Sequence, residues 1–211
     1  IYNEHPLEVA KAFEDAGLRR LHLVDLDGAK TGRVRNWKVL ESIAGKTAMV
    51  IEFRGGIKTE EDVNIVFNSG AALATVGSIA VKQEEELVRW FTVFGADQFL
   101  LGADVKEEKI AVGGWLETTD VWVYDFIEKY LSHGIQQLFC TDVSKDGKLE
   151  GPAVELYKNI IQKFPALHFI ASGGVSSIDD LRALRDAGCK GAIVGKAIYE
   201  GRIKIGELGG F

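Results

Sequence analysis

Asp25, Asp27, Asp104, Asp142 and Asp146 each fall at or just past the end of a short apolar run. A carboxyl group at the mouth of a strand can give a proton to a bound molecule or take one from it. Asp104 differs from the other four. It closes the run Phe99-Leu-Leu-Gly-Ala103, and no basic residue adjoins it. Burial of such a group favours its neutral form, which suits a general acid. A loop carboxylate capping a nearby N–H fits the same position. Asp25 and Asp142 hold equivalent places in two halves of the chain, which points to a shared structural role. Asp146-Gly147 alone is an ordinary turn signal. Thr141, beside Asp142, is placed to face inward.

Two glycine pairs supply a second kind of chemistry. Phe169-Ile-Ala-Ser-Gly-Gly174 and Gly191-Ala-Ile-Val-Gly-Lys196 are apolar runs ending in glycine, each followed by a helical segment. Bare main-chain N–H groups at a helix start can hold a phosphate. Phe53-Arg-Gly-Gly56 and Thr75-Val-Gly-Ser78 repeat that layout at a constant offset of 118 (173 − 55 and 195 − 77). Two such cradles predict a small substrate carrying a phosphate at each end. Gly173, Gly174 and Gly195 would hold one phosphate, and Gly55, Gly56 and Gly77 the other. A plain tight turn is the competing reading of any single glycine pair. Trp115, after Gly113-Gly114, is placed either to stack on a flat ring or to anchor the core.

The elements that must position these residues alternate. Helices are predicted over Pro6–Gly17, Trp37–Ile43, Thr59–Ser69, Glu84–Phe91, Thr119–Ser132, Val154–Lys163 and Ile178–Ala187. The opening Thr59-Glu-Glu-Asp62 reads as a capping box. Strands are predicted over Leu21–Leu26, Met49–Phe53, Leu73–Val76, Phe99–Asp104, Gln137–Asp142, His168–Ala171 and Ala192–Val194. A charged loop is expected from Lys106 to Trp115. Strands apolar throughout and alternating with helices imply a parallel sheet covered on both faces. With the two-fold repeat, the α/β class expected is a (β/α)8 TIM barrel formed by residues 1–211 as one domain. The chain opens on Ile1 and a helix, and only seven strands are predicted. A closed barrel requires one more strand ahead of Pro6, apparently absent here.

Bulk properties exclude several functions. A net charge of −6 leaves no nucleic-acid footprint. No apolar run approaches the roughly 18 residues of a membrane span, and no leader segment is visible. Cys140 and Cys189 read as buried thiols of a reducing compartment, so the cytoplasm is the expected location. His5, His22, His133 and His168 lack metal-ligand or triad spacing, and neither metal nor cofactor is expected. His22 and His168 read as outer-face packing residues; Arg33, Arg35 and Lys58 follow strands and could reach phosphate, with solvated surface charge as the default reading of each.

Several stretches together resemble the ProFAR isomerase family of histidine biosynthesis. They are Leu23-Val-Asp-Leu-Asp-Gly-Ala29, Gly55-Gly-Ile57, Gly77-Ser78, Thr141-Asp-Val-Ser-Lys-Asp-Gly147, Ile170-Ala-Ser-Gly-Gly-Val-Ser176 and Ile193-Val-Gly-Lys-Ala197. The resemblance runs from about Pro6 to Ile205. It implies a cofactor-free Amadori rearrangement that turns an aminoaldose phosphate into an aminoketose. Asp104 matches the family's general acid. Thr141 and Asp146 match residues that hold the substrate near that acid, and Trp115 a residue that packs on its imidazole. By the same resemblance Lys196 joins the first phosphate site and Ser78 the second. The resemblance puts the general base on the strand ahead of Pro6, so these 211 residues alone are expected not to turn over. Arg54 stands where the family usually has the first of three glycines, and would either crowd the cradle or add a phosphate contact. Two alternatives stay open. One is a dual isomerase that also accepts phosphoribosyl anthranilate, against which Gly113 argues. The other is a non-catalytic phosphate-ligand-binding barrel. A monomer is expected.

Overall fold

The computed structural model describes residues 5–211. They fall into two compact units, one of the described residues up to Val76 with Lys204–Phe211, the other Gly77–Ile203.

The first unit opens on α1 (Pro6–Asp15), which has proline at its start and Gly17 at φ 92° just past its end. Proline pre-sets the first turn, and the left-handed glycine stops the last. There follow β1 (Arg20–Val24), α2 (Leu26–Thr31), α3 (Trp37–Ala44), β2 (Val50–Arg54), α4 (Glu60–Asn68) and β3 (Leu73–Val76). The strands pair in parallel as β1–β2–β3. Thr59 and Asp62 form the expected capping box on α4. Leu40, Ile43, Ile51, Phe53, Val63 and Val66 are buried and make the core of this unit.

The second unit runs α5 (Ile79–Lys82), α6 (Glu84–Phe94), β4 (Phe99–Lys106), β5 (Lys109–Val112), β6 (Glu117–Trp122), α7 (Val123–Ser132), β7 (Gln137–Asp142), α8 (Val154–Lys163), β8 (His168–Ser172), α9 (Ile178–Asp186), β9 (Gly191–Ile193) and α10 (Lys196–Tyr199). Its parallel order is β4–β7–β8–β9. Phe99, Leu100, Leu138, Phe139 and Phe169 fill its core with Trp90, Tyr130 and Tyr157. Ser177 and Asp180 cap α9 as Thr59 and Asp62 cap α4. This element order and parallel pairing are those of the (β/α)8 class.

The structure departs from expectation between Lys106 and Trp122. The expected charged loop is a β-hairpin, with β5 antiparallel to β4 and to β6. Glu107 and Glu108 sit at φ 51° and 61°. Two successive left-handed residues make a tight turn whose twist matches the flanking strands. Helix α7 therefore starts at Val123, not Thr119, because Thr119 belongs to β6 and its hydroxyl donates to Ile110 O at 2.9 Å. The strand expected ahead of Pro6 lies outside the described residues.

Candidate active site

Strand register in the second unit sets the site. Asp104 on β4 lies opposite Thr141 on β7, Thr141 opposite Ser172 on β8, and Ser172 opposite Ile193 on β9. Residues level with each other on parallel neighbours share a sheet face and stand about 4.8 Å apart. Asp104, Thr141 and Ser172 thus form one polar row at the carboxyl ends of their strands. All three are buried, Asp104 at 7% exposure. Burying three polar side chains in a row costs free energy unless something uses them.

The loops beyond this row close over it. Gly173 has φ 85°, and a Cβ there would stand 3.1 Å from Thr141 Cγ2 and 3.3 Å from Asp146 Oδ1. The bare glycine is what lets Thr141 and Asp146 approach the turn after β8. Gly174 has φ 79° and packs on the Gly151 carbonyl, while Gly151 N donates to Gly174 O at 3.0 Å. Gly195 is open, with nothing within 4 Å of where a Cβ would point. Lys196 donates its amine to Gly147 O at 2.7 Å, which ties the start of α10 to the loop carrying Asp146.

On the other side of β4, the Gly77-Ser78 turn leads into α5. Gly77 lies beside Gly102 of β4 at ordinary contact distance. Ser78 Oγ accepts from Gly113 N at 3.3 Å, so this turn also holds the hairpin tip that bears Trp115. Trp115 is 44% exposed and has φ 71°. It stands at the tip of a hairpin rather than in the core.

Gly55 and Gly56 belong to the first unit, with φ 109° and 82°. Gly55 packs on the Asp25 carbonyl and Gly56 on the Arg33 carbonyl. Asp25 organises the loop behind them. Its carboxylate accepts from Gly28 N (2.8 Å), Arg35 N (2.7 Å), Asn36 N (2.8 Å) and Asn36 Nδ2 (2.7 Å). Burial alone would raise the Asp25 pKa, but these bonds outweigh it and hold the group below its ordinary value. Asp27 is exposed and accepts from Asn36 Nδ2 at 3.1 Å. Asp142 accepts from Ser144 N at 2.9 Å. His22, in β1, has its Nδ1 3.3 Å from Glu52 Oε2, beside the Arg20–Glu52 ion pair.

Tyr157 was not marked by the sequence. It is fully buried, its hydroxyl donates to Ser172 O at 2.6 Å, and Asp142 N donates to it at 3.3 Å. In the sequence it is one more large residue on the inner face of α8, and nothing there signals the hydroxyl.

The element order and parallel strands define a (β/α)8 protein, with left-handed glycine turns and a buried polar row toward the carboxyl ends of its strands. The family model described as "Histidine biosynthesis protein" matches residues 1–204, and the chain belongs to that family. A protein of Parabacteroides distasonis is 53% identical over 99% of this chain and 87% of its own length. A Bacteroides thetaiotaomicron protein is 51% identical over the same shares, and one of Flavobacterium johnsoniae 50%. Each of these relatives is named 1-(5-phosphoribosyl)-5-((5-phosphoribosylamino)methylideneamino) imidazole-4-carboxamide isomerase.

Proposed function

We propose that this chain is the aldose–ketose isomerase its relatives are named for, converting the bis-phosphorylated aminoribose ProFAR into its ribulosyl isomer. The observation that carries the reading is the level placement of Asp104 and Thr141 on β4 and β7, with the side chains of Thr141 and Asp146 both beside Gly173. That neighbourhood supports the reading of Asp104 as the acid, with Thr141 and Asp146 as substrate-holding groups.

In this reading Asp104 gives its proton to the ribose ring oxygen. The bond from that oxygen to C1′ breaks, and the nitrogen lone pair forms a C1′=N Schiff base. Loss of the C2′ proton to a base returns the electrons to nitrogen as an enolamine. The enol hydroxyl then loses its proton and C1′ gains one, which leaves a ketone at C2′. Every electron stays within the substrate, so the reaction is an isomerisation. Thr141 and Asp146 hold the ribose against Asp104, and Trp115 covers the imidazole. Gly173, Gly174, Gly195 and Lys196 take one phosphate; Gly55, Gly56, Gly77 and Ser78 take the other. The ligand is a small molecule, and no cofactor, nucleic acid or membrane enters the scheme.

Asp104→Asn in the full-length protein tests it. Turnover should fall about 10²–10⁴-fold, the usual contribution of a general acid. Affinity for the reaction product should stay within about threefold, since the cradles are untouched. Turnover within tenfold of the parent, or loss of product binding in step with turnover, would remove Asp104 from the acid's role.

A further inference from the structure

The geometry points to Tyr157 as a positioning residue for the polar row, a role that rests on the functional reading above. Tyr157 lies on α8 and has no part in the chemistry of that reading. Its hydroxyl nonetheless joins the two strand ends that matter. It donates to the carbonyl of Ser172, the residue before Gly173. It accepts from the amide of Asp142, the residue after Thr141. One buried oxygen therefore fixes where the main chain of β7 ends relative to β8. Gly173, Thr141 and Asp146 meet just beyond that point: a Cβ on the glycine would stand 3.1 Å from Thr141 Cγ2 and 3.3 Å from Asp146 Oδ1, so there is no room here for one more methyl group. If the two strand ends drift, Thr141 leaves its place in the row and Asp146 its place beside the turn. The ring is clamped from below by Phe169, at 5.4 Å between centroids. Burial keeps the phenol proton in place well above its ordinary range, so the donor to Ser172 O persists at any working pH.

The second unit contains its own control. Tyr130 on α7 is equally buried and donates to Ala80 O at 2.6 Å. It shares the chemistry of Tyr157 without bridging β7 and β8. Phenylalanine at either position removes one hydroxyl and leaves the ring.

The experiment compares Tyr157→Phe with Tyr130→Phe in the full-length protein, measuring melting temperature, kcat and KM. Both variants should lose similar thermal stability. Tyr157→Phe alone should lose about 10- to 100-fold in kcat, the scale of a sub-ångström to 1 Å misplacement of reacting groups. Its KM should change by a smaller factor than its kcat, because the phosphate ligands away from the β7–β8 ends, Gly55, Gly56, Gly77 and Ser78 among them, are untouched. Equal kcat in the two variants at equal stability loss would overturn the role. If the parent protein fails to isomerise the substrate, the functional reading falls by itself. The positioning claim is then judged on amide resonances during titration with inorganic phosphate. Tyr157→Phe should displace those of Asp142, Gly173 and Gly174 and change their response, and Tyr130→Phe should not. Unmoved resonances would refute it on that arm too.

Discussion

The glycine turn of the first unit and that of the second are built alike and finished differently. Gly56 and Gly174 both have left-handed φ, 82° and 79°, and both press on a carbonyl of the preceding strand–helix loop, Arg33 in one and Gly151 in the other. The capping boxes that follow match as well. The first glycines diverge. Gly55 is met by the main chain of Asp25, whose carboxylate is spent on loop amides. Gly173 is met by the side chains of Thr141 and Asp146. The repeat thus supplies two similar glycine turns, and the group that reaches the first glycine, main chain in one and side chains in the other, is what sets them apart.

The largest effects should come from filling the glycines. At Gly55, Gly56 and Gly174 a methyl group would run into backbone and keep a positive φ. Strain and overpacking together are expected to cost roughly 3 kcal/mol or more each. At Gly173 the methyl group meets only the side chains of Thr141 and Asp146, at 3.1 and 3.3 Å, and these can yield. Gly173→Ala should therefore cost about 1–2 kcal/mol in thermal unfolding, closer to the strain alone. It should also cost more turnover than its stability loss suggests. Equal destabilisation by Gly55→Ala and Gly173→Ala would break the contrast between main-chain and side-chain finishing.

Asp25 and Asp142 give the next test. Asp25 holds three backbone amides and the Asn36 side chain, whereas Asp142 holds Ser144 N. Removing a buried, multiply bonded carboxylate strands its donors, at about 3 kcal/mol. A single local turn bond is worth about 1 kcal/mol. Asp25→Ala should thus unfold at clearly lower urea than Asp142→Ala. Similar midpoints would mean that the two positions carry the same load and that the repeat is more symmetric than drawn here.

The sequence carried much of this and hid the rest for identifiable reasons. Strands β3 and β7 and helix α8 run over the residues expected, because unbroken apolar runs and a full amphipathic turn pattern leave little freedom. The glycine turns were readable because the 118-residue repeat showed each of them twice. The hairpin turn from β4 to β5 was not, because it uses Glu107-Glu108 where Asn-Gly would have announced it. Helix α2 was not predicted: it is six residues long, and its N-cap Asp25 bonds both the third residue on and the loop ten and eleven residues on. Asp104 and Thr141 could each be placed at a strand end, but register is a tertiary property, and only pairing puts them level. Lys196 read simply as a phosphate ligand; its amine also holds the carbonyl of Gly147.

Titration separates the units with the smallest effects. In the first unit, burial raises the Asp25 and Glu52 pKa values, but hydrogen bonds and, for Glu52, the neighbouring His22 and Arg20 outweigh it, so both end below their ordinary 3.8 and 4.5. A lowered carboxylate contributes stability that is complete above its ordinary value and is lost as pH falls through the folded value. In the second unit, burial and then Glu108 push Tyr124 up to about 12, and burial pushes Cys189 up to about 11. Those groups contribute stability that is complete below their ordinary 10.0 and 9.0 and is lost as pH rises. Acid should therefore weaken the first unit and alkali the second. Hydrogen exchange resolved by peptide, corrected for intrinsic rates, should show β1 and β2 losing protection first below pH 4.5, and β7 and β8 first above pH 9.0. Glu52→Gln should shrink the acid response of β1 and β2 while leaving the alkaline response of β7 and β8 unchanged. If both units lose protection together at both ends, the charges do not divide the molecule this way, and its asymmetry is confined to the glycine turns.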